Sequence, residues 1–307
     1  MKKIPVGATI AAAYRFAFHD FFRILGVMWL PLAIMWLPGL LMQPRMTALS
    51  AQLAAHDYSG LRQIWPLLLP FYLFCFVLMF MQLIGIARLA LGLPMGSRWF
   101  YFSLGKQLWR LIGSMLLLMV AVFIGALAAI LGEFLVPFLL GMLSKAVNFP
   151  AFTATMGFVI AIAMIAIWCG FFYCMVRLPF LLLPVVAAEE EAFALVRSWT
   201  LGKGNFWRIF LILLAIMLPF LILEFALVFG YLFKGISFPP AQASADQTAA
   251  FQAAMNVRSQ AMTNAMYHNW YITYPVFLIV FILMYGIWVS AQCFAYRALT
   301  SDEVAGG

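Results

Sequence analysis

The chain has 307 residues, of which 66% are hydrophobic and only 9% charged. An ordinary soluble domain carries about 45–50% apolar and about 25% charged residues, so a water-soluble globular fold is excluded and an integral membrane protein is indicated. The formal charge of +8 argues for topology and contact with anionic headgroups, not for nucleic acid, because 13 of the 18 Lys and Arg fall at one set of span ends and connections.

The first element is a helix over residues 8–22, lying in the membrane interface. Met1-Lys2-Lys3 and the small-residue stretch to Ala13 imitate a signal peptide, but Pro5 interrupts it and Arg15 follows closely. The apolar core of about 7–15 residues that a signal peptide needs is never reached. Six segments then satisfy the requirement of about 20 predominantly apolar residues for crossing a hydrocarbon core: 24–42, 66–88, 110–132, 155–177, 208–233 and 271–296. Their length, and the absence of alternating ten-residue segments, favours helices over a barrel.

Between the second and third spans, Pro94, the stretch Phe100 to Leu104 and Gly105-Lys106 predict a second interfacial helix and its end. A third is predicted before the fifth span. Pro184 is expected to break the preceding span, with Glu189-Glu190-Glu191 in the first turn of the new helix, where its dipole favours acids. Phe193, Val196, Trp199 and Thr200 follow at helical spacing. Gly202-Lys203-Gly204 ends that helix, and Asn205 is placed to cap the span that follows. The connections 45–64 and 241–266 are polar and each carries a helical stripe, the second through Phe251, Met255, Met262 and Met266. That methionine stripe beside His268 reads as packing and not as a copper site.

Three places share one pattern: Phe21-Phe22-Arg23-Ile24, Leu108-Trp109-Arg110-Leu111 and Phe206-Trp207-Arg208-Ile209. Each opens a pair of spans, and the second span of each pair ends on Arg88, Arg177 or Arg297. The opening and closing arginines are 65, 67 and 89 residues apart, the excess in the last falling in the connection after the fifth span. Residues 1–307 are therefore expected to form one all-α membrane domain of three repeated units, each an interfacial helix plus two spans. The units are 8–92, 93–183 and 184–300, the third with an external loop at 235–269. The Lys and Arg bias puts both termini in the cytoplasm of a multi-pass protein.

Few groups suit chemistry. Glu133 and Glu224 are the acids nearest membrane depth. Counted at 1.5 Å per residue from the opening arginines, they lie at about 34 Å and about 24 Å, at the outer surface and in the outer leaflet. An ionisable group at that depth is either a proton or cation site facing the bundle or a hydrogen-bonding link to a neighbouring helix. The arginines Arg23, Arg88, Arg110, Arg177, Arg208 and Arg297 read first as snorkelling anchors. Packed around a pseudo-threefold axis they would instead form a ring able to bind phosphate headgroups or other anions. His19, His56 and His268 lie in different connections, and no nucleophile, metal or phosphate-loop motif is present, so neither enzyme nor cofactor is expected. Cys75, Cys169, Cys174 and Cys293 all fall inside spans and read as packing thiols.

The stretch from Arg177-Leu178-Pro179 through Pro184, the acids 189–191, Arg197-Ser198-Trp199 and Lys203 to Phe206-Trp207-Arg208 resembles the hallmark segment of the YciC-like group of bacterial six-span inner-membrane proteins. That group is similar to the membrane domain attached to some glycerophosphodiester phosphodiesterases. The resemblance implies a bacterial inner-membrane protein concerned with envelope lipids. The phosphodiesterase activity does not carry over, because the chain has no soluble catalytic domain. The expected function is non-enzymatic engagement of membrane lipids of anionic type, or of another membrane protein. The alternative is transport of a small or amphiphilic solute, for which internal repeats and span prolines such as Pro31, Pro137, Pro219 and Pro275 would speak.

Overall fold

The computed structural model describes residues 2–54, 59–95, 101–147, 150–189, 193–232 and 244–305. Every element among them is an α-helix: α1 Val6–His19, α2 Phe21–Ala54, α3 Ser59–Ala90, α4 Lys106–Val147, α5 Pro150–Phe180, α6 Leu182–Ala188, α7 Ala194–Leu201, α8 Phe206–Leu232, α9 Ala245–His268 and α10 Trp270–Ala305. Five stretches are long and apolar enough to cross a membrane: Leu68–Ala90, Lys106–Leu135, Ala161–Ala188, Phe206–Ala226 and Trp270–Ser301. A sixth is reached if Val6–His19 and Phe21–Trp36, bent by 70° at Asp20, count as one.

The helix ends follow from local chemistry. Pro5 precedes α1 and its carbonyl accepts the Thr9 N–H at 2.9 Å, so the missing proline donor falls where a helix has no use for one. Asp20 closes α1 with its N–H on Phe16 O, and its own carbonyl then starts α2 by accepting from Arg23 and Ile24. At the end of α3, Gly92 takes φ +63° while Leu93 N–H reaches back to Arg88 O and Gly92 N–H to Leu89 O. This paired closure needs a left-handed residue, which glycine supplies without a Cβ clash.

Burial is concentrated at the end of the bundle that carries the arginines. Ile24 and Met28 of α2, Leu78, Ile84 and Ile86 of α3, Leu108 and Leu111 of α4, Phe180 of α5, Ile209 and Ile212 of α8 and Ile287 of α10 form one buried cluster. Helix α1 lies across this cluster, held mainly against α10 and α8. Small residues permit the close approach: Ala13 and Ala17 are fully buried, and a Cβ built on Gly286 would stand 2.9 Å from Ile24 Cδ1. Within the core, the Gln292 amide links α10 to α5, its nitrogen donating to Phe180 O at 3.3 Å and its oxygen accepting from Trp288 Nε1 at 2.7 Å. Away from this end the large apolar side chains turn outward, among them Phe123, Phe134 and Phe138 of α4, Phe158 of α5 and Phe225 of α8. Lys2 Nζ donates to Ser301 Oγ at 2.5 Å, so the two ends of the described chain meet on the same side.

Several local expectations are corrected. The break after α5 falls at Leu181, and Pro184 sits inside the first turn of α6, where its missing N–H is harmless. Glu189 is not in a helix first turn. It follows α6 in extended conformation (φ −108°, ψ 126°), and α7 starts only after Phe193; Glu190 and Glu191 lie outside the described residues. The residues 101–104 form no helix, and Lys106, expected to end one, is the first residue of α4. The polar connections, by contrast, are helical as their stripes predict: the second is α9, and the first continues α2 through Ala54. Cys75 and Cys293 are buried, but Cys169 is exposed and Cys174 half-buried, so only two of the four are core thiols.

Candidate functional site

Two of the opening arginines are clasps between distant segments. Arg110 Nη1 donates to Glu189 O at 2.6 Å, and three residues earlier Gln107 Nε2 donates to Ala187 O at 3.1 Å. Arg208 Nη1 donates to Ile4 O at 2.7 Å, and three residues earlier Asn205 Nδ2 donates to Lys2 O at 3.0 Å. The two clasps share a register. Glu189 precedes Arg208 by 19 residues and Ile4 precedes Arg23 by 19; Ala187 and Lys2 precede the same arginines by 21. Each clasp thus fastens the start of one span pair to the chain that leads into another.

Asn205 has a role different from the expected helix cap. Its backbone carbonyl accepts from Arg208 and Ile209, but its side-chain oxygen takes the Ile4 N–H at 3.1 Å. The buried amide therefore satisfies both a donor and an acceptor of the N-terminal segment, which a buried backbone needs. Arg23 makes no such span-linking bond among the described residues: it pairs with Asp20 at 3.0 Å, its side chain 73% exposed.

The closing arginines differ from one another. Arg177 is only 4% exposed. Its Nη1 donates to Tyr173 Oη and its Nη2 to Trp199 O, both at 2.6 Å, and its Cζ lies 3.8 Å from the Trp199 ring centroid. The ring face and two oxygen acceptors replace water around this charge. Gly202 closes over it, since a Cβ there would stand 3.1 Å from Arg177 Cγ, and Ser198 ties α7 to α5 by donating to Leu178 O at 2.8 Å. Arg88 is half-buried, donating to Gln107 Oε1 at 2.9 Å and to Pro94 O at 2.6 Å. Its Nε is buried and has no hydrogen-bond partner. Arg297 is exposed, with its Nη2 beside Gly92.

Arg88 opens onto a cavity of about 490 Å³ lined also by Tyr101, Ser103, Lys106, Gln107 and Arg110. A second cavity, of about 740 Å³, borders the other clasp and is lined by Lys3, Phe172, Tyr173, Phe206, Trp207 and Arg208. Glu189 accepts from Arg197 Nε at 3.1 Å and from Tyr296 Oη at 2.9 Å, so this carboxylate is already engaged. Among the described residues, Arg88, Arg177, Arg208 and Arg297 have no carboxylate partner.

The six arginines thus occupy one end of the bundle but are not gathered around one opening. Arg88 and Arg110 share a cavity, Arg208 borders another, Arg177 is sealed, and Arg23 and Arg297 face outward. Glu224 is exposed on α8 amid exposed apolar residues, and Glu133 of α4 accepts from Trp168 Nε1 of α5 at 2.7 Å. The two acids are not brought together. Sequence reasoning missed Gln107 and the clasping role of Asn205; their common position three residues before an opening arginine was the available signal. No His, Cys, Asp and Glu group able to hold a metal occurs among the described residues.

The architecture is that of an all-helical chain with five to six helices long and apolar enough to cross a membrane. No family model matches the chain, and no curated protein or solved structure matches it.

Proposed function

We propose that this is a non-enzymatic, multi-pass protein of the bacterial inner membrane that holds anionic phospholipid against its arginine-rich, cytoplasmic face. The observation that carries the reading is three arginines at that end, Arg88, Arg208 and Arg297, that reach a cavity or the surface without a carboxylate partner among the described residues. Charges at a membrane boundary that protein acids leave unneutralised attract anionic headgroups. Exposed Trp109, Trp207 and Phe22 stand next to Arg110, Arg208 and Arg23, which is the pairing of aromatic belt and basic headgroup contact expected at an interface. The shared 19- and 21-residue register of the two clasps supports three repeated units, and kinship with the YciC-like group is part of the same proposal.

The test places the purified chain in nanodiscs of phosphatidylcholine alone and in nanodiscs with phosphatidylglycerol added. Greater thermal stability with phosphatidylglycerol, lost as salt is raised, is the expected result, because surface attraction is screened over about 10 Å at 0.1 M salt. Equal stability in both bilayers would refute the proposal.

A further inference from the structure

The two junctions between successive span pairs carry an aromatic residue at the same distance from the opening arginine: Trp199 stands nine residues before Arg208, and Tyr101 nine before Arg110. Trp199 lies on Arg177 and seals it. Tyr101, set in irregular chain and not on a helix like α7, leaves Arg88 facing the cavity it lines. Among the described residues the Tyr101 hydroxyl has no hydrogen-bond partner and Lys106 has no carboxylate, while an unpartnered Nε is common to Arg88 and the sealed Arg177. The first turn of α4, a helix of 42 residues, starts at Lys106 on the same cavity wall, and its N–H groups carry the positive end of the helix dipole. Two arginines, a lysine and a phenol from two separate segments therefore converge on one space.

We infer that this cavity is a phosphate-binding site: Arg88 and Arg110 act as donors from its inner wall, Lys106 supplies a mobile cation at its mouth, and Tyr101 donates to one phosphate oxygen. The inference rests on the lipid reading above insofar as the phosphate belongs to a phospholipid headgroup, but the chemistry is the same for a free phosphate. Arginine suits the inner positions because the planar fork of Arg88 is held in orientation by Gln107 Oε1 and Pro94 O while each Nη keeps a second N–H to donate. The quasi-equivalent Arg177 cannot take part, since Tyr173, Trp199 and Gly202 enclose it.

The experiment compares wild type with Lys106→Gln, Tyr101→Phe and their double variant, with Lys106→Arg as the charge-keeping rescue and Arg15→Gln, an exposed cation on α1, as a control away from the cavity. One arm counts phosphatidylglycerol retained by each protein in native mass spectrometry after purification from mixed nanodiscs. The other measures thermal stabilisation in neutral detergent by inorganic phosphate against equal ionic strength of chloride. A loss of about tenfold in affinity for each single variant and about a hundredfold for the double variant, with Lys106→Arg and Arg15→Gln near wild type, is expected from the loss of one and of two charge-assisted hydrogen bonds. Loss in the first arm alone assigns the site to a lipid headgroup, and loss in the second assigns it to free phosphate. Lipid retention and phosphate stabilisation both equal to wild type in the double variant overturn the site even where wild type still prefers anionic nanodiscs. Phosphate stabilisation confined to proteins with an intact cavity, without any bilayer preference, keeps the site and overturns the lipid reading; no anion effect in either arm overturns both.

Discussion

Replacing Asn205 by Ala removes the amide that holds the N-terminal segment. Asn205 is 2% exposed, its Oδ1 accepts the N–H of a fully buried Ile4, and its Nδ2 donates to Lys2 O. A buried backbone donor left without a partner costs about 1–3 kcal/mol, and the half-buried Lys2 carbonyl loses less because water reaches it. Together the substitution should destabilise the seating of residues 2–6 by about 2–4 kcal/mol, while Arg208 still holds Ile4 O. Hydrogen exchange followed by mass spectrometry on peptides covering residues 2–10 reads this directly, since the protected amide is the one that Asn205 binds. The decisive control is a chain lacking residues 1–4, in which the same substitution should cost almost nothing. A stability loss equal in both backgrounds, or unchanged exchange at Ile4, would show that Asn205 matters for some reason other than the clasp.

Gly85→Ala should destabilise by about 1–3 kcal/mol through overpacking, because a Cβ there would stand 2.6 Å from Val27 Cγ1 and 3.0 Å from the Tyr101 ring; SDS-induced unfolding of the reconstituted protein measures it, with Gly113→Ala, which meets nothing within 4 Å, as the neutral comparison. Arg177→Lys keeps the charge but not the fork over Trp199, and should lose about 1–3 kcal/mol with increased protease cleavage near α7, detected by mass mapping of the fragments.

The spans were readable because crossing hydrocarbon demands length and apolarity, and little else produces such runs. The arginine triplets were readable for the same reason: a charge beside a long apolar segment stands out. What failed was local structure at the polar end. The acids 189–191 were assigned to a helix start on the dipole argument alone, yet Glu189 follows a helix, because α6 takes Pro184 into its first turn and runs on to Ala188 before the chain extends. Its carboxylate is placed by Arg197 and by Tyr296, a residue 107 positions away, and no local pattern reports such a partner. The stretch around residue 101 was assigned a helix by analogy with the segment before Arg208. There Trp199 stacks on Arg177 and Ser198 bonds Leu178, packing that a run of eight helical residues needs to persist. Analogy between the arginine segments failed where the supporting side chains differ.

That difference is informative about the three junctions. The position three residues before the opening arginine holds Gln107 in one, Asn205 in another and Asp20 in the third. Both amides donate to a carbonyl that lies 21 residues ahead of another opening arginine. An ionised aspartate has no proton to donate, so a clasp of this kind is chemically closed to Asp20, which instead accepts from Arg23 on its own helix start. Pure anchoring of spans would require only the arginines, and arginine alone would snorkel equally well at all three. The amides answer a further need, which is to lock separate segments at two junctions while a third stays without that lock. The cationic cavity lies where Gln107 is shared between the lock and Arg88, so phosphate bound there and the fastening of Ala187 act on one side chain. Binding at Arg88 is thereby coupled to the seating of α6, and Gln107→Leu should weaken both together.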